Sequence, residues 1–193
     1  MPLGAFKSAL FGASADTGTA VLLSTATASN DASIEFTLPT AYKQVKFGFY
    51  NVTPATDGAN FTFQVNASGQ SGYNETMTTT TFSTSHTEND ASYDFGYSST
   101  TDQAQGTSYQ QLCWGIASDA DGSGAGTMML YNPSSTTYVK HFTSTNNYMY
   151  LDNRTVNSFV AGYINNTAVI SEIAFKFSSG NVSSGTIKMW GIK

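Results

Sequence analysis

The sequence predicts an all-β protein: an antiparallel two-sheet jelly-roll sandwich with a short N-terminal arm or helix. Short runs in which every second residue is apolar recur along the chain, separated by clusters of turn formers. Helix-like spacing is confined to the first residues. Aromatic residues make up 13% of the 193 residues and charged residues 11%, against about 25% charged residues in typical domains. The chain therefore has enough apolar area to bury, unlike a disordered one, and its length suits a single domain.

The N-terminal segment, residues 1–29, is predicted to be a docking arm or linker, followed by the sandwich at residues 30–193. Leu3, Phe6 and Leu10 stand at near-helical spacing, which predicts a short amphipathic helix. An isolated helix of this length is marginal in water, so it needs a surface to pack on. Two alternatives stay open: an arm that embeds in a neighbouring subunit, or a terminus that frays or lies on its own domain.

Strands with one buried face are clearest in the first half of the chain. At residues 34–38, 45–49 and 61–65, apolar residues alternate with polar residues or glycine. Pro39 ends the first of these runs, because proline cannot donate to a strand ladder. An earlier apolar patch at residues 21–23 predicts a linker or a first edge strand.

Clusters of Gly, Asn, Asp, Ser and Pro separate the other strands and favour turns. Connections are expected at residues 51–60, 88–90 and 118–126. Two more are expected at the polar pairs 146–147 and 152–153, which flank residues 148–150. Further strands are predicted at residues 77–82, 93–97, 110–116, 159–164, 172–177 and 186–192. Many short strands at regular spacing favour the two-sheet sandwich, most simply as a jelly roll.

A β-hairpin is predicted at residues 127–142, where two strand-like runs flank an Asn-Pro-Ser-Ser turn. Met128 and Leu130 point to one side of the first strand, and Met129 and Tyr131 point to the other. Both sides are apolar, unlike those of a strand with one side in water. The strand therefore lies in the middle of the sandwich, or Met129 and Tyr131 form a subunit interface.

Charge and composition exclude several partner classes. The net charge is −5 and the eight Lys and Arg residues are scattered, so the basic patch that nucleic acid requires is missing. No apolar run approaches the length of a membrane-spanning helix. Lys7 interrupts the apolar region that a signal peptide would need. The single cysteine, Cys113, has no intrachain disulfide partner and is expected to be a small buried hydrophobe.

Asp119 and Asp121 form the nearest match to a metal motif. With Ser123 and Gly124 they imitate the start of an EF-hand loop, but the twelfth position, which should be a bidentate glutamate, is Leu130. A glycine-rich turn is the favoured interpretation, and a looser calcium site is the alternative. No cofactor is expected.

The sequence carries no catalytic signature that we can identify. Glycoside hydrolysis needs two carboxylates across a cleft, and Glu35, Glu75, Glu88 and Glu172 show no spacing that signals such a pair. A serine nucleophile elbow, a Walker loop and a His-Glu-x-x-His motif are also missing from the sequence. A non-enzymatic protein is expected, with a glycanase as a minor alternative.

Four tyrosines are candidates for contact with glycans, because exposed aromatic rings can stack on sugar rings. They are Tyr73, Tyr93, Tyr97 and Tyr109. The alternative interpretation is favoured: about half of them pack into the sandwich and the rest are scattered surface residues.

Several dispersed phrases carry a resemblance to a known family. They are Pro54-Ala55-Thr56-Asp57 and the segments at residues 4–10, 60–67, 102–110, 132–142 and 185–193. Together they resemble a widespread family of marine tailed-bacteriophage virion proteins, described as concanavalin-like or jelly-roll structural proteins. The likeness covers most of the chain and transfers no catalytic residues.

The resemblance implies a non-enzymatic structural protein on the virion surface, assembled in the host cytoplasm. The resemblance does not distinguish head from tail. Polar, tyrosine-rich loops suit recognition of a host-surface glycan, so a tail-fibre or tail-associated part is slightly favoured, although such loops would also suit a decoration protein. A capsid decoration protein of the phage head is the first alternative, and a free glycan-binding module the second. The expected partners are other virion proteins and further copies of the chain, with a trimer favoured, and no nucleic acid or membrane.

Overall fold

The structure is a computed structural model that describes residues 19–193. Leu3, Phe6 and Leu10 of the predicted docking arm lie outside the described residues. Regular structure within residues 19–193 consists of thirteen strands, without a helix, and every strand pairing is antiparallel. The prediction of an all-β antiparallel protein is confirmed. This described part also holds no helix long and apolar enough to cross a membrane.

The strands follow one another through short connections. They are β1 (Ala20–Thr27), β2 (Ile34–Thr37), β3 (Gln44–Pro54), β4 (Ala59–Ala67), β5 (Met77–Thr87), β6 (Tyr93–Tyr97), β7 (Ala104–Gly106), β8 (Gln110–Ile116), β9 (Gly124–Tyr131), β10 (Lys140–Tyr150), β11 (Arg154–Ile164), β12 (Ile170–Phe177) and β13 (Val182–Ile192).

The strands pair along the path β1-β13-β3-β9-β10-β8-β4-β12-β2. Outside this path, β10 also pairs with β11, β11 pairs with β5, and β5 pairs with both β6 and β7. The link between β10 and β8 is the single pair Tyr150 and Ile116. The strands β8-β4-β12-β2 are therefore joined to β10 through one residue pair only.

A cluster of phenylalanine rings shows that the sheet folds over onto itself. Phe47 and Phe49 of β3 lie 5.1 and 5.2 Å from Phe175 of β12, centroid to centroid, although β3 and β12 are not paired. Phe49 also meets Phe61 of β4 edge to face at 5.2 Å. These rings are buried, and each buried ring of this size contributes roughly 1.5–3 kcal/mol to folding. The result is a sandwich- or barrel-like shape with one apolar core.

The predicted hairpin is confirmed, with a longer connection than expected. β9 and β10 pair with Leu130 opposite Phe142, but residues 132–139 lie between the strands. Ser135 Oγ accepts the backbone N–H groups of Thr137 and Tyr138 at 3.2 and 3.1 Å. This local turn competes with strand pairing, so the predicted strand start at residue 136 was wrong.

Three predicted connections are shorter than expected. The one at residues 118–126 ends early, because β9 begins at Gly124. β3 continues to Pro54 through an irregularity, in which Asn51 has a positive φ of 50° and the pairing with β9 shifts between Phe49 and Val52. β10 runs through residues 146–147, where a turn was expected. The buried Asn146 Nδ2 donates to Ser144 Oγ at 3.0 Å and to Leu112 O at 3.4 Å, so its N–H groups find partners without leaving the strand.

The apolar patch at residues 21–23 belongs to a first edge strand, one of the two alternatives. β1 pairs with β13 through Leu22 and Trp190, among other pairs. β1 lies on the N-terminal side of the predicted division at residue 29. The division itself stays a prediction.

Candidate functional site

One side of the sheet faces solvent across the series β6, β5, β11, β10, β9, β3, β13 and β1, and we call it the outer face. Opposite residues of an antiparallel pair lie on the same side. The outer face therefore carries Phe82 of β5 and its partner Phe159 of β11. It also carries Thr143 of β10, which is opposite Met129 of β9. Serine and threonine dominate between the apolar positions, so the aromatic positions stand out.

Five aromatic residues at one end of the outer face form an aromatic patch: Phe82, Tyr93, Phe95, Tyr97 and Phe159. Phe82 stacks on Phe159 with centroids 4.7 Å apart and lies 6.0 Å from Phe95. Tyr93, Phe95 and Tyr97 are 82%, 74% and 61% exposed. Neighbouring exposed aromatic residues of this kind make the patch a candidate binding site.

The patch lies on an open edge of the sheet. β6 pairs with β5 through Tyr97 opposite Phe82, Phe95 opposite Thr84, and Tyr93 opposite His86. Among the described strands, β6 has no partner on its other edge. Its outward backbone groups are therefore available to a partner or to water.

Two hollows border the aromatic patch with polar groups. A groove of about 200 Å³ lies between Phe82, Phe159, Thr143 and Thr145. A second hollow of about 350 Å³ lies at the end of β5, β10 and β11 and is lined by residues that include His86, Glu88, Asn147, Met149 and Arg154. The apolar rings thus have hydrogen-bond donors and acceptors beside them, the arrangement typical of small-molecule sites.

The polar border is held by local ion pairs. His86 contacts Asp90 Oδ1 through its ring Nε2 at 2.9 Å. Arg154 donates from Nε to Asp152 Oδ1 at 2.6 Å, and its guanidinium lies 5.4 Å from the Tyr150 ring centroid. The Arg154 bond holds the pKa of the Asp152 carboxyl below its usual range. Arg154 is therefore held at the start of β11, where it lines the second hollow.

The four predicted glycan-contact tyrosines do not form one site. Tyr93 and Tyr97 belong to the aromatic patch, and Tyr97 OH donates to Asp102. Tyr73 and Tyr109 lie 6.5 Å apart in a different cluster. Any glycan-contact role of the four stays a prediction.

The second tyrosine cluster is occupied by its own neighbours. Tyr73 OH donates to Glu35 Oε2 at 3.1 Å, and Lys176 Nζ lies 4.2 Å from the Tyr109 ring centroid. Burial and the Glu35 hydrogen bond raise the pKa of Tyr73. Because a lysine covers the Tyr109 ring, this cluster offers less free aromatic surface than the patch does.

The predicted interface residues Met129 and Tyr131 lie on the outer face and are half-buried. Tyr131 OH is 3.2 Å from Thr143 Oγ1. The row that contains Met129 continues through Lys46 and Trp190 to Leu22, which is exposed. The interface role stays a prediction, and these residues form a second apolar area at the β1 end.

The remaining candidates for chemistry are dispersed. Asp119 and Asp121 lie exposed in a turn in which Gly122 N donates to Asp119 O at 2.9 Å. Within residues 19–193, no three His, Cys, Asp or Glu residues are grouped so that they could hold a metal ion. Cys113 is buried, and burial raises the pKa of its thiol. It therefore packs as the small hydrophobe that the sequence predicted.

Sequence reasoning did not identify Phe82, Phe95 and Phe159 as site residues. The available signal was the alternation of Tyr93, Phe95 and Tyr97 with Asp94 and Gly96. Their shared exposure depends on β6 being an edge strand, which a local pattern does not indicate.

Comparison of the chain with family models, curated proteins and solved structures finds no match in any of the three. The outer face is therefore the feature from which a function is inferred.

Proposed function

We propose that this chain is a non-enzymatic structural protein of a phage virion, displayed on the particle surface as a tail-fibre or tail-associated part. Its aromatic patch binds a glycan of the host surface. The observation that carries the proposal is the exposed aromatic patch with its polar border. The resemblance of the dispersed sequence phrases to phage virion proteins supplies the biological setting.

The chemistry of the patch suits a sugar. The C–H faces of pyranose rings pack on aromatic rings, and Phe82 and Phe159 present such a surface. Sugar hydroxyl groups need hydrogen-bonding partners, which Arg154, Asn147 and His86 offer at the border. The patch lies on hydrogen-bonded strands instead of a loop, so little ordering is needed before binding.

The finer architecture that we propose is a jelly-roll sandwich of two sheets. One sheet is β6-β5-β11-β10-β9-β3-β13-β1 and the other is β8-β4-β12-β2. Support comes from the single pair that joins them, Tyr150 and Ile116, and from the ring contacts between β3 and β12. Such a rigid unit suits repeated copies on a particle.

A capsid decoration protein is the second candidate, and a different observation favours it. β1, Ala20–Thr27, lies within the predicted docking segment of residues 1–29, and its exposed Leu22 pairs with Trp190 in the row that leads to Met129. The arm and this apolar area would form one continuous docking surface on a phage head.

The test is the mass of the protein in solution, measured by light scattering for the full chain and for a variant lacking residues 1–18. This deletion leaves β1 in place, so the sheet stays complete. A stable trimer supports the tail-fibre proposal. A monomer that adds to phage heads only when residues 1–18 are present contradicts it and supports decoration. A monomer that binds oligosaccharide without those residues supports a free glycan-binding module.

A further inference from the structure

Three polar residues meet at one end of three neighbouring strands. Lys140 is the first residue of β10, Asn166 follows the end of β11 by two residues, and Glu75 precedes β5 by two residues. The pairings of Lys140 with Ile164 and of Ile164 with Met77 bring these strand ends side by side. The three residues are far apart in sequence, so no local motif predicts the cluster.

Lys140 is a buried amine without an ion-pair partner within the described part of the chain. Its Nζ donates to the backbone oxygens of Asn166 and Ala168 at 3.1 and 2.5 Å. Burial lowers the pKa of Lys140, and the charge of Glu75 opposes this shift. Only the neutral form of the amine can act as a nucleophile: it has two N–H groups, which these two carbonyls accept, and one free lone pair.

The Asn166 carboxamide is held on both sides beside this amine. Its Nδ2 donates to Glu75 Oε2 at 2.7 Å, and its Oδ1 accepts the backbone N–H of Ala168 at 2.8 Å. Lys140 Nζ contacts the backbone oxygen of Asn166, and the carboxamide that Glu75 holds belongs to the same residue. Hydrogen-bond donation to Oδ1 withdraws electron density from the carboxamide carbon, Cγ, and favours attack on it.

Glu75 is buried and oriented for proton transfer. Its Oε1 accepts the backbone N–H of Ala67 at 3.1 Å, which leaves Oε2 directed at Asn166 Nδ2. A carboxylate within hydrogen-bond reach of a leaving nitrogen meets the geometric requirement for general acid–base chemistry.

We propose that Lys140 and Asn166 become joined by an intramolecular isopeptide bond, with Glu75 as the proton-transferring residue. The Nζ lone pair attacks Asn166 Cγ and forms a tetrahedral intermediate. Glu75 takes the proton that Nζ loses and delivers it to Nδ2, the Cγ–Nδ2 bond breaks, and ammonia leaves. An amine and a carboxamide thereby become a secondary amide and ammonia, without an oxidant, a metal or a cofactor.

The bond would connect β10 covalently to the segment after β11. The chain has one cysteine and therefore no intrachain disulfide, and this amide would supply the cross-link that a disulfide supplies elsewhere. The inference does not depend on the proposed virion role, because it concerns only the chemistry of three side chains.

Intact-mass spectrometry of the purified, denatured full chain tests the proposal. The expected mass is about 17 Da below that calculated from the sequence, which is the mass of the ammonia released when lysine acts as the nucleophile. Trypsin should leave residues 47–154 linked to residues 155–176, because an acylated Lys140 is not cleaved. A wild-type chain that keeps its full calculated mass after prolonged incubation overturns the proposal.

Three variants separate the proposed bond from other losses of ammonia. Lys140→Arg and Asn166→Ala should keep the full mass, and Glu75→Gln should form the bond far more slowly. Cyclisation of Asn166 onto its own backbone would release the same ammonia. It would persist in Lys140→Arg and give no linked peptide, so a mass loss in that variant also contradicts the proposal.

Discussion

Gln110 shows how a buried polar side chain positions the segment between β6 and β8. Its Oε1 accepts hydrogen bonds from Thr79 Oγ1 and Gln103 Nε2 at 2.8 and 3.1 Å. Its Nε2 donates to the backbone oxygens of Thr101 and Gln111 at 2.8 and 2.9 Å. The side chain is fully buried, so its polar atoms depend on these partners alone. A complete set of partners makes such burial tolerable and specifies a single loop conformation.

Replacing Gln110 by methionine should destabilise the protein by about 1–3 kcal/mol, because the shape is kept while buried groups around it lose their partners. Urea denaturation followed by tryptophan fluorescence measures the change. Gln70→Met is the matched control, since Gln70 is exposed and only its backbone is hydrogen-bonded, to Ala67 O at 3.0 Å. Equal stability losses in the two variants would show that the Gln110 hydrogen bonds do not contribute.

β6 differs from every other strand in the exposure of its aromatic residues. Phe95 and Tyr97 contribute to the aromatic patch, but they bury little area, so they add little to folding. Large aromatic residues that are kept exposed on an edge strand increase the risk of aggregation. Their presence is more easily explained by a ligand than by stability.

Phe95→Ser should abolish binding of host-surface glycan while changing the free energy of unfolding by no more than about 0.5 kcal/mol, because the residue is exposed. Binding to a glycan array and thermal unfolding measure the two effects. Tyr138→Ser is the control, since Tyr138 is 72% exposed but lies in the connection between β9 and β10. Unchanged binding by Phe95→Ser would rule out the patch as the glycan site.

The sequence allowed part of this site to be predicted. Period-two alternation places Tyr93 and Tyr97 on one side of one strand, and both were candidates for glycan contact, although packed or scattered surface tyrosines were the favoured interpretation. Phe82 and Phe159 come from different strands, and their stacking depends on the register between β5 and β11. Register is a long-range property, so the patch could be recognised only from the structure. Tyr73 and Tyr109, chosen for the same chemical reason, lie in the cluster covered by Lys176.

At the scale of the whole molecule, Phe175 of β12 lies in the core where β12 packs against β3, a strand with which it is not paired. The Phe175 ring contacts Phe47 and Phe49 of β3. It also stacks parallel to Phe61 of β4, with ring centroids 6.0 Å apart. All four rings are buried. Interior packing of this density leaves little room to relax, so the loss of one ring leaves a cavity.

Phe175→Ala should therefore cost about 3–5 kcal/mol of the free energy of unfolding, the range for a buried aromatic residue that is truncated in a core. Urea denaturation measures it, with Phe95→Ala as the matched control for an exposed phenylalanine. Similar losses in both variants would contradict the assignment of Phe175 to the centre of the core.

Local patterns predicted most strands but not their arrangement. Alternation at residues 45–49 and 61–65 reports which side of a strand is apolar, and β3 and β4 bury those apolar residues. The prediction of a single buried face was wrong for β4, because Thr62 and Gln64 are buried on its other side under covering segments. The order in which strands pair depends on residues distant in sequence. β7, a strand of three residues, was not predicted because it is too short to show a period. Buried polar residues such as Gln64 also escaped prediction, because their partners lie in loops that cover them.

The place of β13 has a consequence for how a newly made chain folds. β13 lies between β1 and β3, so Ile187 pairs with Ala26 on one side and with Phe49 on the other. During synthesis, the facing edges of β1 and β3 stay open until residues 182–192 leave the ribosome. Pairing over such a separation is slow, and open edges expose a nascent chain to aggregation. Closure of the sheet therefore follows synthesis of its last strand instead of proceeding alongside it.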